Sequence, residues 1–221
     1  MLFAGVEIYP CLSGALYMPA HDVLLVADLH LEKGSSRAHK GILLPPYDTR
    51  TGLLMLEAAI SKWTPKQVIL LGDSFHDLAG PERMVAEDRT LLEKMAARTE
   101  FVWLSGNHDP ALPLYIPGEH AAMLMLGETT LRHEPKPGAH HEIAGHLHPV
   151  AAVRQRGRRL RTKCFLISAS RIILPAFGAY TGGLDVSHPA FRPLFAGDAF
   201  RAIMIGRSAL HILPGCAVLG R

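Results

Sequence analysis

At 221 residues, 48% of them apolar and 19% charged, the chain has material for one sizeable core and little room for two full domains. That balance excludes a disordered chain, and a formal charge of only +3 leaves any nucleic-acid contact to a local basic patch. Three scattered cysteines (Cys11, Cys164, Cys216) argue against a disulfide framework. The N-terminal residues carry no basic leader, Glu7 and Pro10 interrupt them, and no stretch approaches the roughly 20 apolar residues of a membrane span. A cytoplasmic protein with no membrane partner is expected.

Residues 14–18 and 23–27 read as short strands separated by a turn at Pro19, Ala20, His21 and Asp22. The second strand delivers Asp28-Leu29-His30. On an extended backbone, residues two apart share a side, which would turn Asp28 and His30 toward one ligand. Residues 31–47 lack periodicity and read as a polar loop bearing Lys33, Arg37 and Lys40 and closed by Pro45-Pro46. A helix follows, capped by Asp48 or Thr49, with Leu53, Leu56, Ile60 and Trp63 at helical spacing and Pro65 at its end. Residues 68–71 form a buried type of strand leading to Gly72-Asp73. A second helix is expected over 81–98, with Met84, Leu91, Leu92 and Met95 on one face, then a strand at 101–104 followed by Gly106-Asn107-His108-Asp109. Twice, a helix leads back to a strand whose C-terminal end carries polar ligands, the usual placement of sites in open α/β sheets. Beyond Pro117 the pattern changes to short strands near 121–132, 150–156, 159–168, 171–174, 202–206 and 209–213, with Arg156-Gly157-Arg158 as a hairpin tip. Two layers of mixed strands flanked by helices, in one domain spanning 1–221, account for both halves.

Five short clusters carry the chemistry: Asp28 with His30, Asp73, Asn107 with His108, His133, and His146 with His148. Oxygen and imidazole donors without any cysteine suit a hydrolytic pair of Mn²⁺, Fe or Zn²⁺ ions better than a structural thiolate zinc. Two divalent cations about 4 Å apart lower the pKa of a bound water and neutralise phosphoryl oxygens, and holding them takes roughly seven protein ligands with one bridging carboxylate. Asp28, His30, Asp73, Asn107, His133, His146 and His148 supply such a set. Asp73, alone after a glycine at a strand end, is the natural bridge, and Asn107 offers a neutral carbonyl oxygen. His108, next to Asn107, is placed to hang over the substrate, where an imidazole can stabilise phosphoryl charge or protonate the leaving oxygen.

These blocks resemble those of the calcineurin-like metallophosphoesterases, D-x-H, G-D, G-N-H-[DE], H and G-H-x-H, from Asp28 to His148. The resemblance implies a four-layer α/β/β/α sandwich. It also implies one metal on Asp28, His30, Asp73 and His148, and another on Asp73, Asn107, His133 and His146. Many protein phosphatases of the superfamily have an Asp three residues after the G-D aspartate; here that position is His76. Gly72-Asp73-Ser74-Phe75-His76 looks like the G-D-x-F-H of the double-strand-break repair nucleases, where the corresponding His assists catalysis, and Asp77 could still orient a ring. A purely structural role for His76, supporting the ligands, stands beside the catalytic one. The flanks resemble the bacterial DNA-ligase-associated metallophosphoesterase at Leu31-Glu32-Lys33-Gly34-Ser35-Ser36, Leu44-Pro45-Pro46-Tyr47-Asp48-Thr49 and the stretch from Leu174 to Gly183. This implies a phosphodiesterase or nuclease of the DNA-damage response, grouped with an ATP-dependent ligase and a helicase; manganese is the expected working ion, with Fe or Zn²⁺ as alternatives.

Several residues have plainer readings. The basic run Arg154, Arg156, Arg158, Arg159, Arg161 and Lys163 could track a phosphate backbone, but a solvated hairpin face is the simpler expectation. Lys33, Arg37 and Lys40 have the better claim to substrate, since their segment starts at the ligands. Tyr47 could stack a base or pack beside Pro45-Pro46, and packing is the safer reading. Gly178–Gly183 could approach a phosphate or form a tight turn, and Cys164 reads as core. His21, His39, His120, His140, His141, His188 and His211 read as surface or capping residues. A small-molecule phosphodiesterase or nucleotide phosphatase is the alternative within the enzyme class, because no large capping domain is present to grip duplex DNA. A metal-binding scaffold is the alternative outside it, disfavoured by the complete ligand set.

Overall fold

The computed structural model describes residues 1–45, 47–155 and 157–218; Pro46 of the proline pair and Arg156 of the hairpin tip lie outside the described residues. The chain runs β1 (Leu2–Phe3), β2 (Val6–Glu7), β3 (Tyr9–Pro10), β4 (Leu16–Met18), β5 (Val23–Val26), α1 (Lys33–His39), α2 (Asp48–Trp63) and β6 (Gln67–Leu70). Then come α3 (Gly80–Arg83), α4 (Ala86–Ala96), β7 (Glu100–Leu104), β8 (Glu119–Ala121), β9 (Leu124–Leu126), β10 (Thr129–Leu131), β11 (Glu142–Ala144) and β12 (Pro149–Gln155). β13 (Arg158–Ile167), β14 (Arg171–Ile173), β15 (Leu184–Asp185), a 3₁₀ turn (Pro189–Phe191), β16 (Arg201–Ile205), β17 (Leu210–Pro214) and α5 (Gly215–Val218) complete it.

Two sheets face each other. One has six strands in the order β3-β4-β5-β6-β7-β8, with β5 to β8 parallel; the other has nine, built around the long β13. Val23, Leu25, Ile69, Leu71 and Val102 on the first meet Leu131, Ile143, Phe165, Ile167 and Ile172 on the second to form the inter-sheet core. Alternate residues of β5, β6 and β7 (Leu24, Val26, Val68, Leu70, Phe101) bury instead against Leu53, Leu56 and Ile60 of α2 and Leu92 and Met95 of α4. β5 and the stretch Val68–Leu71 therefore read as unbroken apolar runs, as parallel strands covered on both faces do. The outer face of the nine-stranded sheet carries Cys164, Leu166 and Ile173 under Val186, Phe191 and Leu194. The layers are those of the expected α/β/β/α sandwich in a single domain, with short helices and loops as the fourth. No helix among the described residues is long and apolar enough to cross a membrane.

Three local expectations fail. Residues 31–47 are not all loop: α1 occupies Lys33–His39. The helix expected over 81–98 is two, because Met84 and Val85 are extended (ψ 126° and 153°) between α3 and α4. Nor do Asp48 and Thr49 cap α2 by side-chain hydrogen bonds; they reach across to the chain entering α1.

Candidate metal centre

All five clusters lie at one end of the sandwich, where β5, β6, β7, β10 and β11 run out. Asp28 and His30 come together there, but not by strand pleating. The strand stops at Val26, and both residues are left-handed, with φ of 55° and 48°. Asp73 (49°), His146 (69°) and His148 (45°) share that conformation, which costs a non-glycine residue about 1–2 kcal/mol. Backbone bonds hold the bends: Asp28 N–H donates to Gly72 O (3.2 Å), His30 N–H to Asp73 O (2.9 Å) and Leu31 N–H to Ser74 O (2.8 Å). Gly145 is required by close approach, since a Cβ there would meet Asp28 Oδ2 at 2.5 Å, and His146 N–H donates to that same oxygen (2.9 Å).

Three sets of donor atoms come together, one of them joining His30 to His76 and His108 and the other two gathering the carboxylates. Asp28, His30 and His148 each turn a ligand atom within 4.8 Å of the others, and so do Asp73, His133 and His146. Asp73 faces both, with Oδ2 3.8 Å from His30 Nε2 and Oδ1 3.4 Å from His133 Nε2. His30 Nε2 and His148 Nε2 confront each other at 3.3 Å, and His146 Nδ1 and His133 Nε2 at 3.1 Å. The Leu71 carbonyl accepts from His133 Nδ1 (2.8 Å), which leaves Nε2 as the lone-pair donor toward the cluster. Asp28 Oδ1 is buried without a hydrogen-bond partner, although His148 Nε2 lies 3.1 Å away. Paired imidazole nitrogens around an orphaned carboxylate oxygen form a donor set that fits divalent cations.

Electrostatics agree in part. Burial, with Asp73 opposing it and His148 adding to it, pushes His30 down to about 3, and burial with His133 lowers His146 as well, so both rings are neutral and ready to donate. Burial disfavours the His133 imidazolium, yet Asp73 and Asp28 overcome it and raise the ring to about 9. The same pairing outweighs burial at Asp73 and holds its carboxyl well below the usual carboxylate range. The His133 proton has to leave before that ring can coordinate.

Asn107 is exposed on the turn beside these groups. His108 anchors its backbone N–H on Asp73 Oδ1 (2.9 Å) and donates from Nδ1 to the His76 carbonyl (2.8 Å), leaving Nε2 free. His76 stacks on His108 with centroids 5.0 Å apart, and burial together with Lys33 and His108 lowers it to about 4. Among the described residues Asp77 makes no hydrogen bond to a ring; it binds Arg83 and the Ala79 N–H and acts on His76 only through its charge. Lys33 and Arg37 are half-buried on α1, near enough to act on His76, whereas Lys40 is exposed at the helix end. Tyr47 is exposed instead of packed, Cys164 is fully buried with its thiol pushed up to about 12, and His188 caps the 3₁₀ turn.

Sequence reasoning overlooked three supporting groups. Asp109, 2% exposed, accepts N–H bonds from Asp73 (2.9 Å), Ser74 (2.7 Å) and Phe75 (3.0 Å). Its place in Gly106-Asn107-His108-Asp109 was the available signal. Glu32 accepts from Thr49 Oγ1 (2.9 Å) and Ser35 Oγ (2.6 Å) while Asp48 accepts from Gly34 N–H (2.9 Å), which docks α1 on α2. Lys163, expected on a solvated face, turns inward and donates to Ala176 O (2.7 Å) and Gly178 O (2.8 Å); burial lowers it to about 8. Gly178 N–H in turn donates to Asp28 O (3.1 Å), so Gly178–Gly183 begins as a wall of the site.

No protein-family model and no curated protein matches the chain. Among solved structures it is similar to the nuclease MPE of Pseudomonas putida, at 30% identity and a TM-score of 0.73, over 97% of this chain and 98% of that one. YfcE, a phosphoesterase from E. coli, matches at 14% identity and a TM-score of 0.42 over 89% of this chain and 98% of that one, a likeness too slight to carry any argument.

Proposed function

The chain belongs to the calcineurin-like metallophosphoesterases, and on that premise we propose that it hydrolyses phosphodiester bonds of nucleic acid with two divalent cations, manganese the working pair. The observation that carries this reading is the division of the Asp73 oxygens between two imidazole–carboxylate clusters, with His108 hung from the same carboxylate. Asp28, His30, Asp73 and His148 would hold one cation, and Asp73, Asn107, His133 and His146 the other. Once bound, the cations supply Lewis acidity, neutralising phosphoryl charge and lowering the pKa of water.

The chain's own groups do the rest. His108, its Nδ1–H fixed by the His76 carbonyl, presents Nε2 to the substrate and in its protonated form gives a proton to the leaving oxygen. His76 backs that ring by stacking and supplies the carbonyl that orients it. Lys33 and Arg37 bring positive charge beside the two rings, and Lys40 extends it along α1 toward the flanking phosphates. The likeness to a nuclease supports nucleic acid as substrate over a small diester. Cooperation with an ATP-dependent ligase and a helicase in cytoplasmic DNA repair rests on the sequence resemblance of the flanks.

The test is hydrolysis of bis-p-nitrophenyl phosphate and p-nitrophenyl phosphate by manganese-loaded protein, with Asp73→Asn as control. Diester cleavage abolished in the control is the expected result. A preference for the monoester would overturn the phosphodiesterase assignment.

A further inference from the structure

The β12–β13 hairpin continues past the end of the sandwich at which the ligands sit. β10, β11 and β14 are parallel, and their C-terminal ends lead to His133, to His146 and His148, and to Gly178. β13 runs antiparallel to β14, so its N-terminal half extends beyond that same end. The β12–β13 register pairs Val150 with Lys163, Ala152 with Arg161 and Arg154 with Arg159, and directly paired residues share a face.

Alternation along β13 settles which face. Phe165 and Ile167 lie in the core between the sheets, whereas Cys164 and Leu166 lie in the core on the outer side. Lys163, Arg161 and Arg159 therefore follow Phe165 on the side of the metal ligands. The other face of the arm is fixed in place: Ala151 is buried in the outer core and Thr162 Oγ1 donates to Ile205 O (2.7 Å). At the base of the inward face, Lys163 grips the segment whose Gly178 N–H binds Asp28 O. One step out, Arg161 donates to Gly183 O (2.8 Å) and is otherwise exposed. Further out, Arg159 stands 3.8 Å from Asp185 Oδ2 with its side chain 66% exposed, and Arg154 is exposed opposite it. Among the described residues neither Arg154 nor Arg161 has a carboxylate within 4.0 Å, although Asp185 is held down by Arg161 as well as Arg159. Successive arginines on one strand face are about 6.7 Å apart, close to two nucleotide rises of about 3.4 Å in a stacked strand.

We infer that the inward face of this arm is a nucleic-acid backbone track, on which Arg161, Arg159 and Arg154 take phosphates of the strand outside the cleavage site. The inference rests on the nucleic-acid reading of the metal centre. Lys163 touches no substrate and anchors the base of the track. A merely solvated hairpin would leave polynucleotide binding and its salt dependence untouched.

The experiment measures kcat/KM of the manganese-loaded full chain for a fluorescent oligonucleotide at 50 and 200 mM KCl. It compares wild type with Arg154→Gln/Arg159→Gln and with Arg154→Lys/Arg159→Lys. Each phosphate contact contributes about 0.7–0.9 to the logarithmic salt slope, so wild type should lose about 7- to 12-fold more activity over this interval than the glutamine variant. The lysine variant should follow wild type. Each single glutamine substitution lowers the slope by about half as much, which keeps the inference testable should the double variant fail to fold. A glutamine variant that cuts with the wild-type salt slope overturns the track and leaves the nuclease reading intact. Wild-type protein that hydrolyses bis-p-nitrophenyl phosphate but leaves the oligonucleotide whole overturns the nucleic-acid reading, and the track with it.

Discussion

Asp109 gives the sharpest test of how the centre is built, because it meets no substrate and yet sets the bend that carries Asp73. Its Oδ1 accepts the Asp73 N–H, and its Oδ2 accepts those of Ser74 and Phe75. Asp109→Ala leaves three buried donors without acceptors, at about 1–3 kcal/mol each. Allowing for partial relaxation, the loss is about 3–6 kcal/mol, a large part of the roughly 5–15 kcal/mol that stabilises a typical domain. Asp109→Asn has one acceptor oxygen in place of two. It can serve Ser74 and Phe75, but its NH₂ then opposes the Asp73 N–H, so it should cost about 2–3 kcal/mol. Urea unfolding in the presence of chelator reads the stability term alone. A manganese titration reads the second consequence, a loosened Asp73 and a metal affinity about 10- to 100-fold lower. An asparagine variant matching wild type in both urea midpoint and metal titration would refute the argument.

Excess manganese at about 100 times its dissociation constant adds about 2.7 kcal/mol, which in a chain of this size should raise Tm by about 5–11 °C over chelator-treated protein; scanning fluorimetry showing no shift would count against a preformed cage. His108→Ala should lower kcat for the diester about 100- to 10,000-fold without moving the midpoint of the metal titration, and a shift of that midpoint would make His108 a ligand instead. Lys163 titrates near 8 when folded against 10.5 when free. Between these values the unfolded chain binds the extra proton, so stability rises with pH. The urea-derived stability of wild type should therefore gain up to about 1.4 kcal/mol per pH unit over Lys163→Met between pH 8 and 10, and parallel curves would mean that Lys163 is not buried as described.

Asp28, Asp73 and Asn107 among the proposed ligands were legible because each follows a short apolar run, and sheet geometry brings such strand ends together regardless of the intervening loops. The way they converge was not legible. Asp28 and His30 share a site through two left-handed residues, and their sequence, unlike a glycine's, does not advertise that conformation. Helix α1 was hidden for a related reason. Gly34, Ser35 and Ser36 are weak helix formers, and the groups that stabilise the turn, Thr49, Asp48 and Arg83, lie 14 to 48 residues away. At Met84–Val85 the apolar spacing suggested continuity, although Glu87 and Asp88 already marked a new helix start. β11 was missed because it opens on Glu142, whose burial is compensated by Arg171 2.8 Å away on the neighbouring strand, Arg132 at 3.3 Å and the Lys136 N–H at 3.1 Å.

Strain and function meet in the same few residues. Five of the proposed ligands, Asp28, His30, Asp73, His146 and His148, are left-handed. At about 1–2 kcal/mol each their combined cost is about 5–10 kcal/mol, comparable with the whole stability of a domain. It is offset by bonds that link the loops to one another: His30 N–H on Asp73 O, His146 N–H on Asp28 Oδ2, Gly178 N–H on Asp28 O, and Asp109 beneath Asp73. Each loop is thus held by its neighbours and not by its own sequence, and loosening one should release the others. The geometry of the two ligand groups is then a property of the assembled end of the sandwich, and substitutions at Asp109 or Lys163, which bind no metal, should act on both groups at once.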